Sequence, residues 1–268
     1  MYHVRFTLLA IGLALALFLG MLLFLELGRR YGIRQAEKRG TAARVGVGVA
    51  DRAVYAVLAL LLGFVFSGAT TRFENRRDLV ARQVATIGTA WSRIDALPTE
   101  SEASIRPWFR RYVDALIASY QDGKPIGSPE ELRQRASIAA ARKDLWTRAV
   151  AACLAPGGGP ALMLLLPALN EMFEAANRER IARRMQPPRM IWFMLGVSAL
   201  ASALFAGYSM ANATARNWMY TLGIAATISI VTYVIIDLEY PRLGLVRVDA
   251  IDQLLVDQRA TLNDTSGH

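Results

Sequence analysis

The sequence is poor in the residues on which most enzyme chemistry depends. A single cysteine, Cys153, excludes an intrachain disulfide and a thiolate cluster for zinc. The two histidines, His3 and His268, stand at opposite ends of the sequence. That removes histidine acid–base catalysis, Ser-His-Asp triads and HExxH zinc sites together. Lysine is scarce as well: Lys38, Lys124 and Lys143 are the whole set, so nearly all positive charge is arginine. No internal repeat of the transporter type is visible. Most hydrolase chemistry is thereby excluded, and neither a cofactor nor a metal site is expected.

What remains is apolar and basic. Hydrophobic residues make up 54% of the 268, yet 20% are charged, which fits a chain that is part membrane and part aqueous. The net charge of +9 comes from arginines gathered at the ends of apolar runs. There each basic residue gains about 1 kcal/mol against anionic headgroups. Nucleic-acid binding would need one basic stripe instead, and no nucleic-acid partner is expected.

The chain is organised around residues 53–77, AVYAVLALLLGFVFSGATTRFENRR. An apolar span there runs without a helix breaker into Arg72, Glu74, Arg76 and Arg77. Ahead of it, residues 6–28 form a first span carrying only Glu26. A signal peptide is the rival reading, but apolar residues persist well beyond the Ala14-Leu15-Ala16 cleavage mimic. Residues 28–52, basic and punctuated by glycine, read as a solvated connector. Gly46-Val47-Gly48 lacks the preceding strand and the following Lys-Ser/Thr of a phosphate loop.

Beyond the second span the pattern is helical. Val80, Val84, Ile87, Trp91 and Ile94 recur at three and four residues, up to Pro98. A second helix presents Ile105, Phe109, Tyr112, Leu116 and Tyr120. Ser128-Pro129-Glu130-Glu131 starts a third. These residues, with Trp146, predict an aqueous core. Ala155 to Pro160 is a hinge, and Ala161 to Leu169 is too short to cross a bilayer, so it reads as buried or dipping into the membrane face. Residues 190–211 and 218–236 are two more spans in a tight hairpin. Their serines and threonines suggest close packing with interhelical hydrogen bonds, a polar permeation wall being the rival reading. With no charge well inside either span, a charge-coupled transporter is disfavoured.

The expected architecture is therefore all-α and polytopic, with four transmembrane helices. Residues 1–69 form a first hairpin with spans at 6–28 and 53–69. Residues 70–186 form a helical aqueous domain, 187–238 a second hairpin, and 239–268 a C-terminal tail.

This pattern resembles the bestrophin-like domain of bacterial membrane proteins. Gly63-Phe64-Val65-Phe66-Ser67 followed by Arg72-Phe73-Glu74-Asn75-Arg76, the helix from Val80 to Pro98, and the closing run Asp237 to Gly244 carry the likeness. It covers residues 53–255. The likeness to the bestrophin ion channels themselves is looser. It implies a homopentamer in a lipid bilayer whose second spans line a pore for inorganic ions. Val57, Leu60 or Leu61, and Phe64 match the apolar constriction by position. Arg72, Phe73, Glu74 and Arg76, with Asp237, Glu239, Pro241 and Gly244, match the pore-mouth charge and the family motif. The aromatic pairs of the channels are reduced here to Phe73, and their calcium-binding acids have at best Asp237 and Glu239 as counterparts. Calcium gating is not carried over.

Three functions compete: an oligomeric ion channel, a non-conducting membrane-anchored scaffold or sensor, and a lipid-directed enzyme. The enzyme lacks a nucleophile–base pair at any recognisable spacing, and no enzymatic activity is expected. The channel leads on resemblance. The tally of arginines near span ends, including Arg72, Arg76, Arg77 and Arg189, outweighs the basic connector. Together with the bestrophin resemblance it places the helical domain and both termini in the cytoplasm, and the resemblance to bacterial members implies the inner membrane of a bacterial cell.

Overall fold

The computed structural model describes residues 2–39, 47–121, 127–185, 188–212, 218–239 and 249–264. Among them every regular element is helical: α1 (Tyr2–Arg39), α2 (Val47–Ser92), α3 (Thr99–Gln121), α4 (Pro129–Leu154), α5 (Gly159–Arg184), α6 (Arg189–Ser209), α7 (Trp218–Glu239) and α8 (Asp249–Asp264). Four of these are long and apolar enough to cross a membrane: α1, α2, α6 and α7. The chain is an all-α membrane protein. It divides into two compact units, one of residues 1–73 with 186–246, the other of residues 74–185 with 247–268.

In the first unit the first and last spans are longer than expected. α1 does not stop at Gly28 but continues to Arg39. Arg, Gln, Ala, Glu and Lys in this stretch are good helix formers, and Arg30 Nε donates to Glu26 Oε1 at 2.9 Å one turn away. The glycines, read as breakers, are contact points. A Cβ on Gly28 would stand 2.0 Å from the Leu204 carbonyl oxygen, and one on Gly207 would stand 1.9 Å from the Leu25 carbonyl oxygen. The backbones of α1 and α6 thus meet with no side chain between them, the close approach that small residues permit inside a bilayer. Gly32 extends the seam toward Tyr208, whose ring lies 6.0 Å from that of Tyr31.

Met21 and Leu25 of α1, Leu58 of α2, Leu195, Ala199 and Ala203 of α6, and Ala225 of α7 form the buried centre of this unit. Leu8, Leu9, Leu13, Leu15, Leu19 and Leu23 are exposed along α1. Apolar residues facing outward are the expected pattern where the solvent is lipid. Three of the span hydroxyls differ from expectation. Ser202 donates to the Ser198 carbonyl at 2.7 Å, Thr227 to Gly223 at 2.8 Å and Thr232 to Ile228 at 2.8 Å. They bond back into their own helix, the cheapest way to satisfy a hydroxyl in hydrocarbon, and not across to a neighbour.

The second unit contains the later turns of α2 with α3, α4, α5 and α8. The Ser128 side chain caps α4 by accepting from Glu131 N at 3.2 Å, with Pro129 in the first turn, as the sequence implies. Trp91, Ile94, Phe109, Tyr112 and Leu116 are all buried in one core. Trp146 is not in it: 38% of it stays exposed, with its ring 6.3 Å from Phe173. The inward face of α4 is Ala141, Leu145, Ala149 and Ala152, and Trp146 is one position out of phase. Ala161, Leu165, Ala168 and Leu169 of α5 are buried, whereas Met163 and Leu164 are exposed. The expected C-terminal tail is in part the helix α8. It docks on α3 through buried Leu255 and Leu262, and through Arg259 Nε donating to Asp114 Oδ1 at 2.6 Å.

Two outcomes follow. Trp91 packs on Phe109 with centroids 5.4 Å apart and lies under the Arg106 guanidinium at 4.4 Å. Trp91→Ala is expected to cost about 3–5 kcal/mol, read by chemical unfolding of the detergent-solubilised protein. Gly207→Ala should lower the melting temperature clearly, while Gly196→Ala, which adds a methyl to open space, should leave it unchanged.

Candidate pore-lining face of the second span

α2 is a single helix of 46 residues, so the side chains along it can be placed by rotation alone. At about 100° per residue, Val57, Leu60 and Phe64 fall within a sector of about 60°. Their exposures are 60%, 60% and 68%. Leu58, Val65 and Ala69 are buried on another side of the helix. Val65 and Ala69 pack with Ile235 of α7. Leu61 belongs with neither set: it is half-buried and touches both apolar clusters of the unit. The expected constriction residues therefore divide, three on the exposed face and Leu61 at its packed margin.

Continuing down that exposed face, the helix presents Ser67 and then Thr71, which sequence reasoning passed over. The Thr71 hydroxyl donates to the Ser67 carbonyl at 2.9 Å. The same rotation count that groups Val57 with Phe64 would have found them.

Arg72 is not on this face. It turns toward α7, where its Nε donates to Glu239 Oε1 at 2.8 Å and its Nη2 reaches the same oxygen. The Glu239 side chain is 2% exposed and that of Arg72 35%. Gly68 makes room for the turn: a Cβ there would stand 3.2 Å from Arg72 Nη1. Asp237, two residues before Glu239, is also buried. The fourth span keeps its helix through both acids, three residues beyond the expected end at 236. Among the described residues no group of three or more His, Cys, Asp or Glu could hold a metal ion. Cys153 is buried, and desolvation raises its thiol pKa, leaving it little thiolate character as a nucleophile.

A family model for the bestrophin-like domain matches residues 16–251. The chain belongs to the bestrophin-like family. Solved structures agree on the fold. Two variants of a bacterial bestrophin homologue from Klebsiella pneumoniae superpose with TM-scores of 0.66 and 0.69, each at 16% identity. Both matches cover 94% of this chain, and 99% and 100% of the homologue respectively. No curated protein matches the chain.

Within this bestrophin-like chain, the motif residues fall in different surroundings. Phe73, Glu74 and Arg76 follow Arg72 on the unbroken α2, with Glu74 exposed and Phe73 and Arg76 half-buried. Asp237 and Glu239 close α7, while Pro241 and Gly244 lie outside the described residues. The structure brings together Arg72 and Glu239, 167 positions apart in sequence.

Proposed function

We propose that this bestrophin-like protein is an oligomeric ion channel whose second spans surround the permeation path. What carries the reading is the sector of Val57, Leu60 and Phe64 on a membrane span: large apolar side chains exposed in the single subunit and spaced by three and four residues. From Val57 to Phe64 the helix rises about 10 Å, two turns. When such spans surround an axis, the three positions form stacked apolar rings, a constriction that gates by dewetting. A homopentamer is the assembly the resemblance implies.

The packing of α2 supports this. Its buried side is already satisfied by α6 and α7, so the exposed sector is available to copies of itself. A non-conducting scaffold or sensor is the second reading, because α1 also exposes leucines along its length and lipid alone suffices to cover them. As part of the proposal the protein resides in the inner membrane of a bacterium, with the helical unit and both termini in the cytoplasm. The support is the excess of arginine near the corresponding span ends.

Phe64→Ala should raise single-channel conductance of purified protein in planar bilayers, since the bulkiest of the three side chains is then trimmed to a methyl. Absence of current from assembled wild type and Phe64→Ala alike would leave the scaffold. For orientation, a phosphatase fused after His268 should be inactive; an active fusion places that end outside the cytoplasm and reverses the assignment.

A further inference from the structure

We infer that Glu239 is a positioning residue for the second span and sets the charge that the span carries at its Arg72 end. By holding the guanidinium, it cancels the positive charge that Arg72 would otherwise offer to ions moving along α2. The electrical half of this inference rests on the channel reading; the mechanical half does not.

The geometry is asymmetric. Glu239 is almost fully buried at the end of α7, and Arg72 reaches it from α2, with Nε at 2.8 Å and Nη2 on the same oxygen. A carboxylate removed from water needs a partner of this kind, because a buried charge left uncompensated is strongly unfavourable. Side chains on a helix lean toward its N-terminus, so Arg72 naturally lies over the preceding turn, where residue 68 sits. Any residue but glycine there would bring its Cβ to 3.2 Å from the guanidinium. Gly68 thus leaves the guanidinium room over this turn, where a Cβ would ask it to give by a few tenths of an ångström. Nearby, α2 meets α7 through the small cluster of Val65, Ala69 and Ile235 with their neighbours. The ion pair closes that contact with a directional bond, and it fixes the rotation of α2 about its own axis. That rotation decides which residues form the exposed sector.

Two consequences can be separated. The Arg72–Glu239 pair carries no net charge, so it does not by itself draw anions. Removing the carboxylate alone takes this negative charge away from the guanidinium and also loosens the rotational hold.

The test is a cycle of four full-length proteins: wild type, Arg72→Gln, Glu239→Gln and the double variant. Each is reconstituted for reversal potentials in a potassium chloride gradient and is melted in detergent. Glu239→Gln should shift the reversal potential toward anions, Arg72→Gln toward cations, and the double variant should return to the wild-type value. Each single variant should melt lower than wild type, with the double losing less than the two losses added. A Glu239→Gln protein that keeps the wild-type reversal potential while Arg72→Gln shifts it would overturn the inference, since Arg72 would then act alone. If Glu239→Gln fails to assemble, recovery in the double variant supports the pairing and failure in both overturns it. Silence from all four proteins defeats the channel reading, and with it the charge half. The melting cycle then still decides the hold: additive losses overturn it, and non-additive losses support it.

Discussion

Inside a bilayer no water is present to satisfy a stray backbone group, and apolar side chains gain nothing by leaving lipid for one another. The membrane unit of this protein depends on that constraint. Its spans associate where backbones can approach, at Gly28 and Gly207, where a single added methyl would collide with a carbonyl oxygen of the opposite helix. The hydroxyls of Ser202, Thr227 and Thr232 return to their own helices, and leucines face outward along α1. The aqueous unit obeys the opposite rule: Trp91, Phe109, Tyr112 and Leu116 face inward. There, burying apolar area is itself the driving force, at about 25 cal/mol per Å².

The second span takes part in both kinds of packing, because its helix contributes residues to the core of each unit. In the membrane unit it is held on one side only. Leu58, Val65 and Ala69 are committed to neighbours, while Val57, Leu60 and Phe64 remain exposed in the subunit. Leu61 between them shows how narrow the division is: a shift of about 40° in rotation separates a residue in the exposed sector from one at its packed margin.

Much of this was legible in the residues. Span positions, helix content, the capped start of α4 and most of the aqueous core follow from apolar periodicity, which is local information. The errors share a cause. Gly28 and Gly32 read as the start of a loop because glycine is a poor helix former in isolation, whereas the α6 backbone that rewards their lack of a side chain is remote in sequence. Trp146 read as core because large aromatics usually are, but Leu145 holds the inward phase of α4. Residues 249–264 read as a tail because the partners that order them, Asp114 and Arg110, lie on α3.

Arg72 shows the same limit in the region of greatest functional interest. Spacing alone places it a turn after Gly68, continuing the apolar stripe, and so suggests a ring of positive charge beside the constriction. Nothing local reveals Glu239, which supplies the partner from the last turn of a different span. Once that carboxylate is included, the arginine belongs to the packed side of the helix, and the exposed sector continues through Ser67 and Thr71 instead. The chemistry presented immediately after the apolar positions, at Ser67 and Thr71, is then neutral and hydroxyl-bearing. A permeation path along this face would be shaped by the width of its apolar rings more than by the sign of its nearest arginine, and helix rotation would be the variable that joins the two.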